Sequence, residues 1–118
     1  MFLYKFRRKP KQITDGLTKT FAVGEVIGGD TQSSWNPWAY ASRHEASLRT
    51  TLNPLNTPVG QPTAYTDSYG AFNGAFASEH PGGGNFLRAD GSVEFVSEEI
   101  DHDTYQEFAT IASQPFLP

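Results

Sequence analysis

Three stretches of this chain alternate apolar and polar residues in regular ways, and an irregular stretch divides them. The first, Thr20-Phe21-Ala22-Val23-Gly24-Glu25-Val26-Ile27, reads as a strand. It is apolar on both faces, the pattern of a central strand covered from two sides. Ile13-Thr14-Asp15-Gly16 ahead of it is a turn signal, and Gly28-Gly29-Asp30 ends it. The second stretch is a hairpin: Asn85–Ala89 and Ser92–Val96 flank Asp90-Gly91. An Asp-Gly pair suits a two-residue turn because both central positions take positive φ. In that register Phe86 faces Phe95 and Arg88 faces Val93, with Leu87, Ala89 and Val96 on the other side. The third stretch is a helix, with Asp103 as N-cap and Gln106 three residues on. Tyr105, Phe108, Ala109 and Ala112 form its core-facing stripe, and Pro115 stops it.

Residues 30–80 lack such periodicity. Pro37, Pro54, Pro58 and Pro62 punctuate them among many Ser, Thr and Asn residues. A short helix over Ala39–Leu48 and a short strand near Tyr69–Phe76 are the elements expected there. A loop of this length in a compact domain is either functional or anchored. Trp35, Trp38, Tyr40, Tyr65, Tyr69, Phe72 and Phe76 are the residues that could anchor it.

The chain has 118 residues, enough for one modest core. Gly and Pro number 11 and 8, which favours a loop-rich, β-containing domain over a helical bundle. Aromatic residues make up 14%, too many for a disordered chain. Residues 1–11 form a basic arm holding five of the nine Lys and Arg residues: Lys5, Arg7, Arg8, Lys9 and Lys11. The single domain expected over 12–118 is acidic, and seven acids lie between Asp90 and Glu107. A short arm on an acidic body does not continue the positive surface that nucleic-acid binding requires. With no cysteine, disulfides and thiolate metal sites are excluded. Met1-Phe2-Leu3-Tyr4 is too short for a signal peptide's apolar core, and no apolar run approaches a membrane span.

Candidate chemistry is sparse. Nine residues separate His80 from Asp90-Gly91. At about 3.3 Å per residue, Asp90 at the hairpin tip would lie some ~20 Å from His80, which argues against a catalytic pair. His80 is expected to fix the loop leading into the hairpin, and Asp90 to make the turn. Asp101-His102-Asp103 falls at a helix N-terminus, where the dipole stabilises acids. His44-Glu45 has no second ligand at helical spacing. Gly82-Gly83-Gly84 precedes a strand, unlike a phosphate loop, which precedes a helix. No catalytic residue, and so no enzyme, is expected. No cofactor is expected either, with calcium the one ion kept open: Asp15, Asp30, Asp67 and the acids from Asp90 to Asp103 offer hard oxygen ligands.

His80 through Gly91 resembles the H-X9-DG signature of a prepilin-type protein family abundant in planctomycete and related bacteria, the domain of unknown function numbered 1559. Ile13-Thr14-Asp15-Gly16 followed by Thr20-Phe21-Ala22-Val23-Gly24-Glu25 is similar to the family's ITDG and VGE segments. Gly84-Asn85-Phe86-Leu87-Arg88-Ala89-Asp90-Gly91-Ser92-Val93 resembles its NFLxADGSV core, and Ile100-Asp101 with Thr104-Tyr105 its closing ID…TY. Family members begin with a prepilin cleavage site and a long apolar helix. The resemblance implies that this chain corresponds to their C-terminal globular half.

The expectation is an α+β domain: a small antiparallel sheet with a C-terminal helix and a long irregular loop, like a pseudopilin head. The resemblance implies a structural or interaction role at the cell surface. Partners would be proteins of a pilus-like or secretion-like assembly, or further copies of the chain. His80, Gly84, Asn85, Phe86, Asp90, Gly91, Val93 and Phe95 would be scaffold, and Trp35, Trp38, Tyr65 and Tyr69 the contact surface. The alternative is a carbohydrate- or other ligand-binding module that uses the aromatic loop 35–76.

Overall fold

In the computed structural model, which describes residues 7–27, 49–58 and 74–112, three strands and one helix form an α+β unit. β1 (Phe21–Gly24), β2 (Gly83–Arg88) and β3 (Val93–Ser97) make an antiparallel sheet in the order β1-β2-β3. α1 (His102–Glu107) follows, and a 3-10 turn at Pro10–Gln12 precedes β1. Among the described residues, no helix is long and apolar enough to cross a membrane.

β1 is an edge strand, whereas its two apolar faces had suggested a central one. One of those faces is open, with Val23 exposed. The central place belongs to β2. A bulge between Phe21 and Val23 shifts the register so that Phe21 pairs with Arg88 and Val23 with Leu87. The bulge aims Phe21 inward. Thr20 beside it is fully buried, its hydroxyl 3.0 Å from the Gly16 carbonyl and 3.2 Å from that of Thr110.

The hairpin forms where expected, one residue out of the expected register. Phe86 pairs with Glu94, Asn85 with Phe95 and Leu87 with Val93. The turn explains the slip. The Arg88 N–H donates to the Ser92 carbonyl and the Gly91 N–H to the Arg88 carbonyl, so the loop holds three residues, Ala89, Asp90 and Gly91. Only Gly91 takes positive φ, at 89°. This is a turn closed by a bulge glycine rather than the two-residue form. A one-residue slip reverses the face of every partner. Phe86, Arg88 and Val96 therefore face the core, while Phe95 and Val93, expected as scaffold, stand 50% and 69% exposed.

The helix also begins earlier than expected. Asp101, not Asp103, is its N-cap, accepting from the Thr104 N–H and hydroxyl, both at 2.9 Å. It ends at Glu107, with Phe108 as C-cap, well before Pro115. Tyr105 is fully buried and Phe108 half-buried, whereas Ala112 is exposed beyond the helix. Burial pushes the Tyr105 hydroxyl pKa well above its ordinary value.

Phe21, Leu55, Phe86, Val96 and Tyr105 form the core, with Phe76, Ile100 and Phe108 packed against it. Phe86 stacks on Phe21 at 4.3 Å between ring centres and meets Phe76 edge-on at 5.0 Å. Each such ring, fully buried, contributes roughly 1.5–3 kcal/mol from area alone. Gly74, Ala75 and Phe76 are not in a strand, unlike the expected element near Tyr69–Phe76, the rest of which lies outside the described residues. The expected helix Ala39–Leu48 lies outside them too.

Candidate functional site

Glu25 follows β1 directly and is the junction on which the conspicuous motifs meet. Its backbone carbonyl accepts from the Ala77 N–H at 3.1 Å. One carboxylate oxygen accepts from the Asn85 N–H at 2.5 Å; the other lies 3.2 Å from Nε2 of His80. The Asn85 bond, above all, holds the Glu25 carboxyl below the usual glutamate range, and the His80 ring adds to the effect. The carboxylate is about one-third exposed and the His80 ring about half exposed, so water screens their attraction.

A second row of bonds backs this clasp. The His80 N–H donates to the Ser78 hydroxyl at 2.9 Å, and the Ser78 N–H to Oδ1 of Asn56 at 2.8 Å. Nδ2 of Asn56 then donates to Glu98, just past β3. Asn56 sits at φ 65°, a left-handed conformation that Asn tolerates better than most residues. Gly84 lies where these lines cross, and a methyl group there would meet Ser78 Cβ at 3.2 Å and the Glu25 carboxylate at 3.4 Å. Residues far apart in sequence are thus tied at one end of β2.

The other end of β2 carries the turn. Oδ1 of Asp90 accepts from the Ser92 N–H at 2.9 Å and its hydroxyl at 2.6 Å, which lowers the Asp90 pKa. The Ala89 and Asp90 N–H groups donate to the carbonyls of Thr20 and Leu17. The neighbouring Thr14 N–H donates to Ile111, and the Thr110 hydroxyl to Asp15. His80 and Asp90 accordingly sit at opposite ends of one strand, as their spacing had indicated.

Arg88 is the residue that sequence reasoning undervalued. Its side chain is nine-tenths buried, bound to Glu94 through Nε at 2.7 Å and also through Nη2. The guanidinium lies over the rings of Phe108 and Phe21, 4.6 and 5.2 Å from their centres. The register slip is what brings Arg88 and Glu94 to one face. A concavity of about 640 Å³ opens beside it, lined also by Asp15, Thr18, Lys19 and Glu107. Its described lining sets the Thr18 hydroxyl and the Lys19 amine among three carboxylates, with no serine, cysteine or histidine among the described residues.

His102, from the suspected ligand cluster, bonds the Leu52 carbonyl at 3.1 Å, while Asp101 caps the helix. Among the described residues no group of three His, Cys, Asp or Glu side chains is placed to hold a metal ion. Asp30 and Asp67, and the expected contact residues Trp35, Trp38, Tyr65 and Tyr69, lie outside those residues.

Residues 1–103 match a family model described as a protein of unknown function, DUF1559 (SBP_bac_10). The chain belongs to this family. No curated protein and no solved structure matches it. The DUF1559 match spans β1, both hairpin strands and the start of α1, so the Glu25 clasp and the Asp90 turn fall wholly within it.

Proposed function

We propose that this chain is a non-enzymatic structural or interaction domain, resembling the globular head of a pseudopilin-like surface protein. The supporting observation is how the motif's polar atoms are used. The His80 ring bonds Glu25, Glu25 bonds the Asn85 backbone, and Asp90 bonds Ser92. Each contact fixes the backbone at one end of the hairpin. In the H-X9-DG pattern the histidine is then a clasp and the Asp-Gly a turn. Family membership is consistent with this reading, and the planctomycete-type prepilin likeness extends it to an exported, surface-exposed protein with protein partners.

The test is labelling of the protein in intact cells that make it, with a membrane-impermeant amine reagent aimed at exposed lysines such as Lys9 and Lys11. Labelling before lysis supports the reading. Labelling only after lysis overturns the surface assignment.

A further inference from the structure

The two edges of the sheet are treated differently. At β1 the Phe21 N–H donates to the Phe108 carbonyl at 2.7 Å, and just past the strand Ala77 bonds Glu25. Among the described residues, β3 has no such cover. Ser92 accepts from Arg88 and Glu98 donates to Gly82, so the even-numbered residues from 92 to 98 turn their backbone groups toward β2. Val93, Phe95 and Ser97 turn theirs outward. The Ser97 carbonyl is taken by the Ile100 N–H. Among the described residues, the N–H and C=O of Val93 and Phe95 and the N–H of Ser97 have no partner. Exposed Val93 and Phe95 side chains accompany them. A bare strand edge of this kind is a template for another strand.

Charge indicates what kind. Glu98, Glu99, Asp101 and Asp103 form an exposed acidic ridge from the end of β3 into α1. Arg7, Arg8, Lys9 and Lys11 are exposed and, among the described residues, form no ion pair. Lys9 is extended, at φ −97° and ψ 148°, and Pro10 ends the run. Within one molecule the arm is rooted near the opposite end of α1 from the ridge, and among the described residues it does not pair with the ridge there. The Thr14 and Asp15 N–H groups donate to the Ile111 carbonyl, past the C-terminal end of α1, whereas the ridge begins at the end of β3 and runs into its N-terminal end.

We infer that the edge of β3 receives the basic arm of a second copy of this chain. The Arg7–Lys9 stretch of the arm adds as an extended segment beside Val93–Ser97, with Arg7, Arg8 and Lys9 against the Glu98–Asp103 ridge. The contact is head-to-tail, each copy giving an arm and receiving one. This rests on reading the chain as an assembly domain and names one of its partners.

Sedimentation of the full chain at rising concentration tests it, in low and in high NaCl. The expected result is association at low salt that is lost at high salt, because screened charges no longer hold the arm. The double variant R7E/R8E and, separately, the edge variant F95K are each expected to lose association. Both sites are exposed, and unchanged thermal melts would show both variants folded. Mixed together, the two variants are expected to form a heterodimer, the intact arm of F95K on the intact edge of R7E/R8E. A wild-type chain that stays monomeric at low salt overturns the inference, and so does association surviving in R7E/R8E. Neither result touches the surface assignment, which rests on the labelling experiment.

Discussion

β2 and β3 belong to one hairpin, and each carries a phenylalanine, yet they meet different fates. Phe86 on β2 is 1% exposed, while Phe95 on β3 is 50% exposed. Their neighbours decide this. β2 has a strand on each side, and its inward face meets Phe21, Phe76 and Tyr105. β3 has a neighbour on one side and sends only Val96 into the core. Apolar content alone therefore does not locate a core; position in the sheet and register do.

The widest separation between the strands is expected from truncating these two rings. Phe86→Ala should lose on the order of 3–5 kcal/mol in urea unfolding, the range for a large side chain removed from a packed core. Equal losses at Phe86 and Phe95 would end the distinction. Next in size is Glu94→Ala, which leaves the buried Arg88 guanidinium without its carboxylate. Because Glu94 is itself half exposed, the expected cost is about 1–2 kcal/mol, below that of a fully buried pair. A smaller effect is expected from Gly91→Ala, roughly 1 kcal/mol, since the substituted residue must hold φ near 89°. Phe95→Ser should shift the unfolding midpoint least, within about 0.5 kcal/mol, as exposed positions do.

The clasp adds a pH test of the β2 end. The Glu25 carboxyl, whose ordinary pKa is about 4.3, is held lower than that in the folded chain. Its contribution is present above that value and fades as pH falls through the lower folded pKa. Urea midpoints of the wild type and Glu25→Gln should therefore differ at neutral pH and converge in acid. A constant gap from neutral pH into acid would mean that ionisation of Glu25 plays no part.

Much of the fold was legible because local signals carried it. Asp90-Gly91 announced the hairpin and the Tyr105–Phe108 spacing the helix. What local signals could not fix was the choice between turn forms that share Asp-Gly, and that choice moved the register by one. Asp101 and Asp103 are equally good caps by residue type; Asp101 has Thr104 three residues on, offering two donors to one carboxylate. The edge position of β1 was hidden because apolar Val23 and Val26 imitate a buried face. At the candidate site, His80 was correctly separated from Asp90. Its partner, Glu25, is 55 residues away, and no spacing rule reaches that far. Arg88 was invisible for the same reason as the register.

The knot at Glu25 has a consequence for how this family can diversify. It pins the chain just past β1 to residues 77, 80 and 85, so whatever lies between departs from and returns to one fixed place. Loop-closure entropy grows only logarithmically, so doubling an intervening segment costs roughly 0.6 kcal/mol. Length changes on either side of the anchored Leu55 and Asn56, though not through them, are then expected to be thermodynamically cheap.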